Sequence, residues 1–206
     1  HPERIPPKTA DDSILVIGAG PAGLEAARAL GQRGYQVTLA DQASETGGRV
    51  QLERQLPGFA EWGRVIDYRN YQISQMPNVE LYLESQMTTD DLKEFGADHI
   101  ALATGARWTK DGIGRQNPLG IKISAGMKVF SPDDIMANHL PDGPLVLFDD
   151  DHFYMGGAIA EKLCRAGCEV TLVTPASEIS SWTHNTLDQH AIQKQLIQLG
   201  VRLETS

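Results

Sequence analysis

The sequence has few cysteines and no long apolar stretch. Its 206 residues contain two cysteines, Cys164 and Cys168, which lie four positions apart at the end of a predicted helix. This spacing is neither a C-x-x-C redox pair nor a metal-binding framework, so we expect buried thiols in a reducing compartment. No apolar run reaches the length of a transmembrane helix, and no signal peptide opens the chain. We therefore expect a cytoplasmic protein with no membrane partner.

Positive charge is also scarce. The chain has 18 lysines and arginines against 27 aspartates and glutamates, which gives a formal net charge of −9. Because nucleic-acid-binding surfaces need clustered positive charge, this balance excludes nucleic acid as a partner. The apolar and charged fractions, 41% and 22%, are ordinary for a globular chain, and the length predicts one or two domains.

The segment Ser13–Asp41 predicts a strand, a glycine turn, a helix and a second strand, in that order. Within the turn, Gly18, Gly20 and Gly23 form the G-x-G-x-x-G fingerprint of dinucleotide-binding proteins. Gly18 permits the tight turn, Gly20 lets a pyrophosphate approach the backbone, and Gly23 allows the helix to pack closely on the strand. The pyrophosphate would meet the N–H groups and the positive end of the helix dipole.

The acid that completes the fingerprint is Asp41, at the end of the second strand. Its carboxylate can accept hydrogen bonds from ribose hydroxyls and would repel a 2′-phosphate. Gln42, the next residue, brings no positive charge, so NADP is disfavoured. The segment therefore predicts an adenine-nucleotide site; the alternative is a glycine turn that only packs a helix on a sheet.

A second pair of glycines, Gly47 and Gly48, precedes Arg49 and could place further N–H groups and a positive charge on the pyrophosphate. The alternative for this stretch is a plain turn. The candidate nucleotide contacts are the residues of these motifs and of the loops that follow two later strands: Gly18, Gly20, Pro21, Ala22, Gly23, Asp41, Gln42, Gly48, Arg49, Met87, Thr104 and Gly105.

The remaining patterns complete an α/β chain. A helix over Trp62–Gln75, a helix over Thr88–Phe95 capped by Thr88 or Thr89, and a connection over Ile113–Ala125 are predicted. The chain also ends on an amphipathic helix over Thr186–Leu199, with Leu187 on its apolar face, and a short strand. The other predicted strands and helices are Val79–Leu83, Asp98–Ala103, a helix starting near Ser131, Leu145–Phe148, Gly156–Ala166, Glu169–Val173 and Val201–Leu203.

The second half repeats the opening unit with a different turn. Aligned from the strand, the fingerprint glycines correspond to Asp149, Asp151 and Tyr154; aligned from the helix, they correspond to Asp151, Phe153 and Gly156. Either way the two phosphate-facing glycines are lost, and three consecutive aspartates replace them. Since these carboxylates would repel a pyrophosphate, we predict that the second unit does not bind NAD(P)H. The aspartates could instead cap the following helix, the favoured alternative, or bind a cation.

Taken together, these motifs resemble those of the flavoproteins with two dinucleotide-binding domains. The fingerprint, Asp41, the Gly-Gly-Arg stretch and an Ala-Thr-Gly stretch carry this general resemblance. Within that class the sequence is similar to the trimethylamine dehydrogenase family, on the following stretches: His1–Glu3, Leu56–Gly58 with Trp62, Met87–Thr88 with Asp90–Asp91, Ala103–Trp108 with Asp111–Gly112, Ala160–Leu163 and Glu169–Thr171.

The resemblance implies a middle fragment of a longer iron–sulfur flavoprotein oxidoreductase that oxidises amines. In that family an N-terminal β/α barrel carries covalent FMN, a 4Fe–4S cluster and the amine site, and a later segment returns to the first nucleotide domain. Neither part is in this chain, and two cysteines cannot supply four cluster ligands. We expect a linker over residues 1–12, an incomplete ADP- or FAD-binding domain over 13–117 and a degenerate NAD(P)-binding-like domain over 118–206.

The same resemblance implies ADP in the first unit, whereas relatives that use NAD(P)H hold FAD there; the degenerate second unit favours ADP. For the whole protein it implies an electron-transferring flavoprotein as a partner and a homodimer, with the fragment inactive by itself. Two alternatives remain. One is an NAD(P)H-dependent flavin oxidoreductase of the 2,4-dienoyl-CoA reductase type, and the other is a non-catalytic nucleotide-binding module.

Overall fold

The computed structural model describes residues 5–206, so the His1–Glu3 stretch of the resemblance lies outside the described residues. The chain divides into two compact units. Unit 1 comprises the residues up to Arg54 together with Phe59–Ala106, and unit 2 comprises Gln55–Gly58 and Arg107–Ser206. The domain boundaries predicted at residues 12 and 117 stay predictions. Among the described residues, none of the helices is both long and apolar enough to cross a membrane.

Unit 1 is built on a parallel sheet of four strands in the order β3-β2-β1-β4. The central strands are buried because they are apolar on both faces, as parallel strands covered by helices must be. Leu15, Val16 and Leu39 are fully buried. The strands are β1 (Ser13–Ile17), β2 (Gln36–Ala40), β3 (Val79–Tyr82) and β4 (His99–Leu102).

The helices of unit 1 begin and end where the sequence supplies the right residues. Helix α1 (Pro21–Arg33) starts with proline at its first position, where the missing N–H costs nothing, and ends at Gly34 in the left-handed conformation, φ 93°. Helix α4 (Thr89–Phe95) starts at the predicted Thr88 cap, which forms a capping box with Asp91. The others are α2 (Val50–Glu53), a 3₁₀ helix (Ala60–Gly63) and α3 (Arg64–Ser74).

Unit 2 carries a smaller parallel sheet of three strands in the order β5-β6-β7. It repeats the strand, helix, strand sequence of unit 1, so the predicted α/β fold with two Rossmann-like units is confirmed. The predicted connection over residues 113–125 contains neither helix nor strand. The elements are α5 (Pro132–Met136), β5 (Leu145–Phe148), α6 (Met155–Arg165), β6 (Val170–Val173), a 3₁₀ helix (Ser181–Thr186), α7 (Gln189–Gln198) and β7 (Arg202–Glu204).

One predicted helix begins three residues later than expected. The prediction started it at Thr186 and placed Leu187 on its buried face, and this is wrong. Leu187 has a φ of 66° and follows the 3₁₀ helix, so it adopts a left-handed backbone that no α-helix can include. Its side chain is 89% exposed, and the buried face of α7 is formed by Gln189 and Leu196 instead.

Candidate nucleotide-binding site

The candidate site lies where the chain reverses direction across the sheet of unit 1. After β1 the chain builds β2 and β3 on one side, and it then crosses to β4 on the other. In open parallel sheets, the crevice outside the carboxyl ends of the strands at such a point is where ligands bind. The glycine turn follows β1 into α1, and the Ala103–Gly105 loop follows β4, so both predicted loops border this crevice.

The three fingerprint glycines differ in what surrounds them. Gly18 has a φ of 103°, and a Cβ on it would overlap the carbonyl oxygen of Ala103. A Cβ on Gly23 would overlap the carbonyl oxygen of Gly18, so helix and turn touch there without any side chain between them. A Cβ on Gly20 would meet no atom of the described residues within 4 Å. Packing within the protein therefore requires glycine at positions 18 and 23, whereas it does not require glycine at position 20.

The N-terminus of α1 presents the positive end of a helix dipole. Gly20 is the residue before the helix, in extended conformation with φ −71° and ψ −179°, and it has no side chain that could cap the helix. Pro21 has no N–H, and the first turn contains no acidic residue. The N–H groups and dipole of this 13-residue helix can therefore face an anion at Gly20. Ala22 is exposed at the same end.

Asp41 joins the turn after β2 to the glycine turn. Its Oδ2 accepts the backbone N–H of Ala19 at 2.5 Å, and its Oδ1 accepts the backbone N–H of Ala43 at 2.8 Å. These contacts were not evident from the sequence. Each carboxylate oxygen keeps a second acceptor position, so the contacts fix the carboxylate at the crevice and leave it able to accept ribose hydroxyls. Gln42 is exposed beside it.

The Gly47–Arg49 stretch packs on the glycine turn. The backbone N–H of Gly47 donates to the carbonyl of Ala19 at 2.7 Å. A Cβ on Gly48, whose φ is 51°, would lie 3.2 Å from the Cα of Gly20, so the structure brings these two predicted contacts together.

Arg49 extends from this stretch to the loop after β4. Its guanidinium donates to the carbonyl oxygen of Ala106, and its Nε lies 3.8 Å from a carboxylate oxygen of Glu53. Arg49 therefore connects the loops that follow β2 and β4 on the two sides of the crevice. The sequence did not indicate this contact, and the predicted role of Arg49 on a pyrophosphate stays a prediction.

The remaining candidate residues lie in two loops. The backbone N–H of Ala103 donates to the carbonyl of Ile17 at 2.7 Å, which continues the pairing of β1 and β4 up to the glycine turn. Thr104 and Gly105 follow and are exposed, and Gly105 has a φ of 78°. Met87 is half-buried in the loop between β3 and α4. The nucleotide contacts predicted for these three residues stay predictions.

The described residues offer no metal site and no reactive thiol pair. Among residues 5–206, no group of three or more histidine, cysteine, aspartate or glutamate side chains could hold a metal ion. Cys164 and Cys168 are unoxidised and half-buried, less buried than predicted, because both lie at the carboxyl end of α6. Burial raises the pKa of the Cys164 thiol, which keeps it protonated and unreactive.

The turn between β5 and α6 matches the glycine turn of unit 1 at both of its ends. The alignment from the strand holds at Asp149, and the alignment from the helix holds at Gly156. The backbone N–H of Asp149 donates to the carbonyl of Val173 at 2.9 Å, as that of Gly18 donates to Ala40 at 2.8 Å. Asp149 thus occupies the position of Gly18. At the other end, a Cβ on Gly156 would overlap the Asp149 carboxylate, so Gly156 provides the close approach that Gly23 provides in unit 1.

The predicted capping of α6 by the aspartates is wrong. The residue before the helix is Tyr154, which makes no side-chain capping bond within the described part of the chain. Asp149 bonds within the loop before the helix instead. Its Oδ1 accepts the backbone N–H groups of Asp151 at 3.1 Å and His152 at 3.2 Å. Asp149 is 4% exposed, and burial raises its pKa.

Comparison with known proteins assigns the chain to a family. Residues 12–137 match the family described as pyridine nucleotide-disulphide oxidoreductase. The chain belongs to this family. Over its whole length it superposes with a TM-score of 0.94, at 51% identity, on 32% of the histamine dehydrogenase chain from Rhizobium sp. 4-9. It likewise superposes, with a TM-score of 0.89 at 44% identity, on 31% of the 6-hydroxypseudooxynicotine amine oxidase chain from Pseudomonas geniculata N1.

A curated relative agrees with these structures. Dimethylamine dehydrogenase from Hyphomicrobium sp. (strain x) is 34% identical over 211 residues, which cover 98% of this chain and 28% of that protein. The resemblance to the trimethylamine dehydrogenase family is therefore confirmed. The chain spans less than a third of each of these relatives.

Proposed function

We propose that unit 1 binds the ADP moiety of an adenine nucleotide, ADP or FAD, within an oxidoreductase of the amine dehydrogenase type. The observation that carries this proposal is the environment of Gly20. It lies at the start of α1, at the point where the sheet changes direction, and the described residues leave the position of a side chain there open. A pyrophosphate needs this combination of space and unopposed helix dipole.

The pyrophosphate is held by backbone groups from two segments. Gly20, Pro21, Ala22 and Gly23 form one side of its site, in which the N–H groups after Pro21 donate to the phosphate oxygens. Gly48, on which a Cβ would lie 3.2 Å from the Cα of Gly20, forms the other side. Because backbone groups supply these contacts, the site binds the diphosphate without regard to what is attached to it.

The ribose is recognised by Asp41. Its carboxylate is fixed by the N–H groups of Ala19 and Ala43, so it is preorganised for the 2′- and 3′-hydroxyls. The fixed negative charge and the neutral Gln42 disfavour a 2′-phosphate. Arg49, Met87, Thr104 and Gly105 border the crevice and complete the set of residues that we propose to contact the nucleotide.

The chemistry of the whole protein is proposed from its relatives. Histamine dehydrogenase and dimethylamine dehydrogenase have names that specify amine oxidation, so an amine is the proposed substrate class. By the resemblance, FMN and a 4Fe–4S cluster would lie outside this chain, and this chain contributes nucleotide binding and docking without chemistry of its own. An electron-transferring flavoprotein and a second copy of the protein are the proposed partners of the complete enzyme.

A second candidate is an NAD(P)H-dependent reductase of the 2,4-dienoyl-CoA reductase type. It requires a dinucleotide in unit 2, where the buried Asp149 replaces the first fingerprint glycine. Because this carboxylate would face the pyrophosphate, we favour the amine dehydrogenase type and ADP over FAD.

The nucleotide that co-purifies with the chain tests the proposal. The protein is denatured, and the released small molecules are identified by mass and by flavin absorbance. We expect an adenine nucleotide in equimolar amount, with ADP giving no flavin absorbance and FAD giving it. A chain that neither retains an adenine nucleotide nor binds added ADP or FAD would refute the proposal. Tight NADH binding by unit 2 would favour the reductase.

A further inference from the structure

In unit 2, the crevice that corresponds to the candidate site contains side chains of unit 2 itself. Thr174 follows β6 as Asp41 follows β2, and the loop from Asp149 to Tyr154 follows β5 as the glycine turn follows β1. The carboxyl ends of these strands therefore border the place where a dinucleotide would lie in a Rossmann-type unit.

His152 fills the space between this loop and the end of β6. The residue is 1% exposed, and its Nδ1 lies 3.2 Å from the hydroxyl of Thr174. Its carbonyl accepts the backbone N–H of Trp182 at 3.0 Å. Its φ of 61° is unusual for a residue other than glycine, so the contacts of the ring and carbonyl have to outweigh a strained backbone.

The connection before α5 covers this histidine. The backbone N–H of Gln116 donates to both carboxylate oxygens of Asp150, at 3.1 and 2.8 Å, and its side-chain amide nitrogen lies 3.2 Å from Nε2 of His152. Oδ1 of Asp150 lies 3.6 Å from the same Nε2, so Gln116 and Asp150 both meet this side of the ring while Thr174 meets the other.

Two further contacts hold the same segment in place. A Cβ on Gly114 would overlap the Asp150 carboxylate, so the segment and that side chain touch directly. The Arg115 guanidinium carbon lies 4.3 Å from the centre of the Trp182 ring, within the range of a cation–π contact. The Asp150 side chain is only 9% exposed as a result.

We propose that residues 114–116 and the His152 side chain form an internal plug in the dinucleotide crevice of unit 2, held there by Asp150. The plug takes the position that NAD(P)H would need. A dinucleotide is therefore excluded both by the side chains that fill the crevice and by the negative charge of the aspartates. The inference concerns unit 2 alone and does not depend on the function proposed for unit 1.

Hydrogen exchange of the 206-residue chain tests the plug. Asp150→Ala removes the acceptor of the Gln116 N–H, and we expect peptides covering residues 114–117 to exchange about tenfold faster or more, as for a lost hydrogen bond to a charged group. The matched control is Asp151→Ala, since the Asp151 carboxylate makes no hydrogen bond within residues 5–206; it should leave these peptides unchanged. Trypsin should also cleave after Arg115 faster in Asp150→Ala than in the control.

A second variant and a ligand complete the test. His152→Gly tolerates the left-handed backbone and removes the ring, so it should free residues 114–117 while amides of β6 stay protected. Equal exchange in Asp150→Ala, His152→Gly and wild type would overturn the proposal. Protection of residues 149–154 by millimolar NADH in the wild type would overturn it as well. Nucleotide bound to unit 1 should be the same in all variants, which separates this test from that of the proposed function.

Discussion

The two units use the same backbone frame and differ in what occupies it. In each, the first residue after the opening strand donates its N–H to the last residue of the second strand, Gly18 to Ala40 at 2.8 Å and Asp149 to Val173 at 2.9 Å. In unit 1 the next contact is from the Ala19 N–H to the Asp41 carboxylate, and the position of a side chain on the neighbouring Gly20 stays open. The frame alone therefore does not decide whether a Rossmann-type unit can bind a nucleotide.

In unit 2 the corresponding contacts are made by side chains, and these fill the space. Thr174 contacts the His152 ring where Asp41 contacts the backbone N–H of Ala19. A Cβ on Gly156 would overlap the buried Asp149 carboxylate, whereas one on Gly23 would overlap the backbone of the turn. The buried Asp149 carboxylate therefore lies against the start of α6, whereas the position of a side chain on Gly20 at the start of α1 is open. Side chains in and beside the turn thus decide between a binding site and a closed crevice.

Gly20→Val is expected to have the largest effect on nucleotide binding. It places a side chain in the crevice of unit 1, as several side chains occupy the corresponding crevice of unit 2. The branched side chain would lie in the path of the pyrophosphate, and its Cβ would meet no atom of the described residues within 4 Å, so the fold should survive. We expect no nucleotide to co-purify with a variant of normal thermal stability. Ala60→Val, an exposed position on the 3₁₀ helix, is the control and should keep its nucleotide. Unchanged nucleotide content in Gly20→Val would mean that the phosphates are held elsewhere.

Gly18→Ala and Gly20→Ala separate packing from binding within one turn. Alanine at position 18 would need a φ of 103° and would overlap the Ala103 carbonyl, so we expect a loss of about 1–3 kcal/mol in the free energy of unfolding. Gly20→Ala has an ordinary backbone and open space, and its stability should match that of the wild type. Denaturant unfolding of the two proteins without nucleotide measures the difference; equal stabilities would contradict the packing role of Gly18.

Asp41→Ala is expected to weaken nucleotide binding without abolishing it. Loss of hydrogen bonds to a charged acceptor should make the free energy of binding about 1.5–3 kcal/mol less favourable, measured by calorimetry with ADP. Asp67→Ala, which removes an exposed carboxylate from α3, should bind ADP like the wild type. If both variants bind alike, the ribose is recognised by other residues.

Asp149→Asn is expected to have the smallest effect, and one that depends on pH. Burial raises the pKa of Asp149 in the folded chain, so the folded state binds the proton more tightly than the unfolded state. Stability from this group is therefore present at low pH and is lost as pH rises from the unfolded to the folded pKa. The asparagine variant lacks this loss and should gain stability relative to the wild type as the pH rises above 3.8, the ordinary pKa of an aspartate. The free energy of unfolding is measured by chemical denaturation at each pH. If it changes with pH in the same way in both proteins, burial does not raise the pKa of Asp149.

The sequence predicted the frame of both units because the frame depends on short-range rules. Apolar runs predicted β1 and β5, and Thr88 is one of the two residues predicted to cap α4. These signals act within a few residues of the chain and need no knowledge of tertiary contacts.

The contacts that close unit 2 could not be predicted in this way. His152 meets Thr174 and Gln116 across 22 and 36 residues, and no periodicity connects positions so far apart. The contact of Arg49 with Ala106 spans 57 residues and escaped notice for the same reason. Leu187 was misplaced because its left-handed backbone arises from the 3₁₀ helix before it, whereas its spacing fits an amphipathic helix.

The most direct test of the account is hydrogen exchange of the nucleotide-free chain with and without ADP. The account predicts protection of residues 18–23 and 41–49 in unit 1 and no change over residues 149–156 in unit 2. Protection of the unit 2 loop by ADP, or no protection of the glycine turn at saturating ADP, would contradict it.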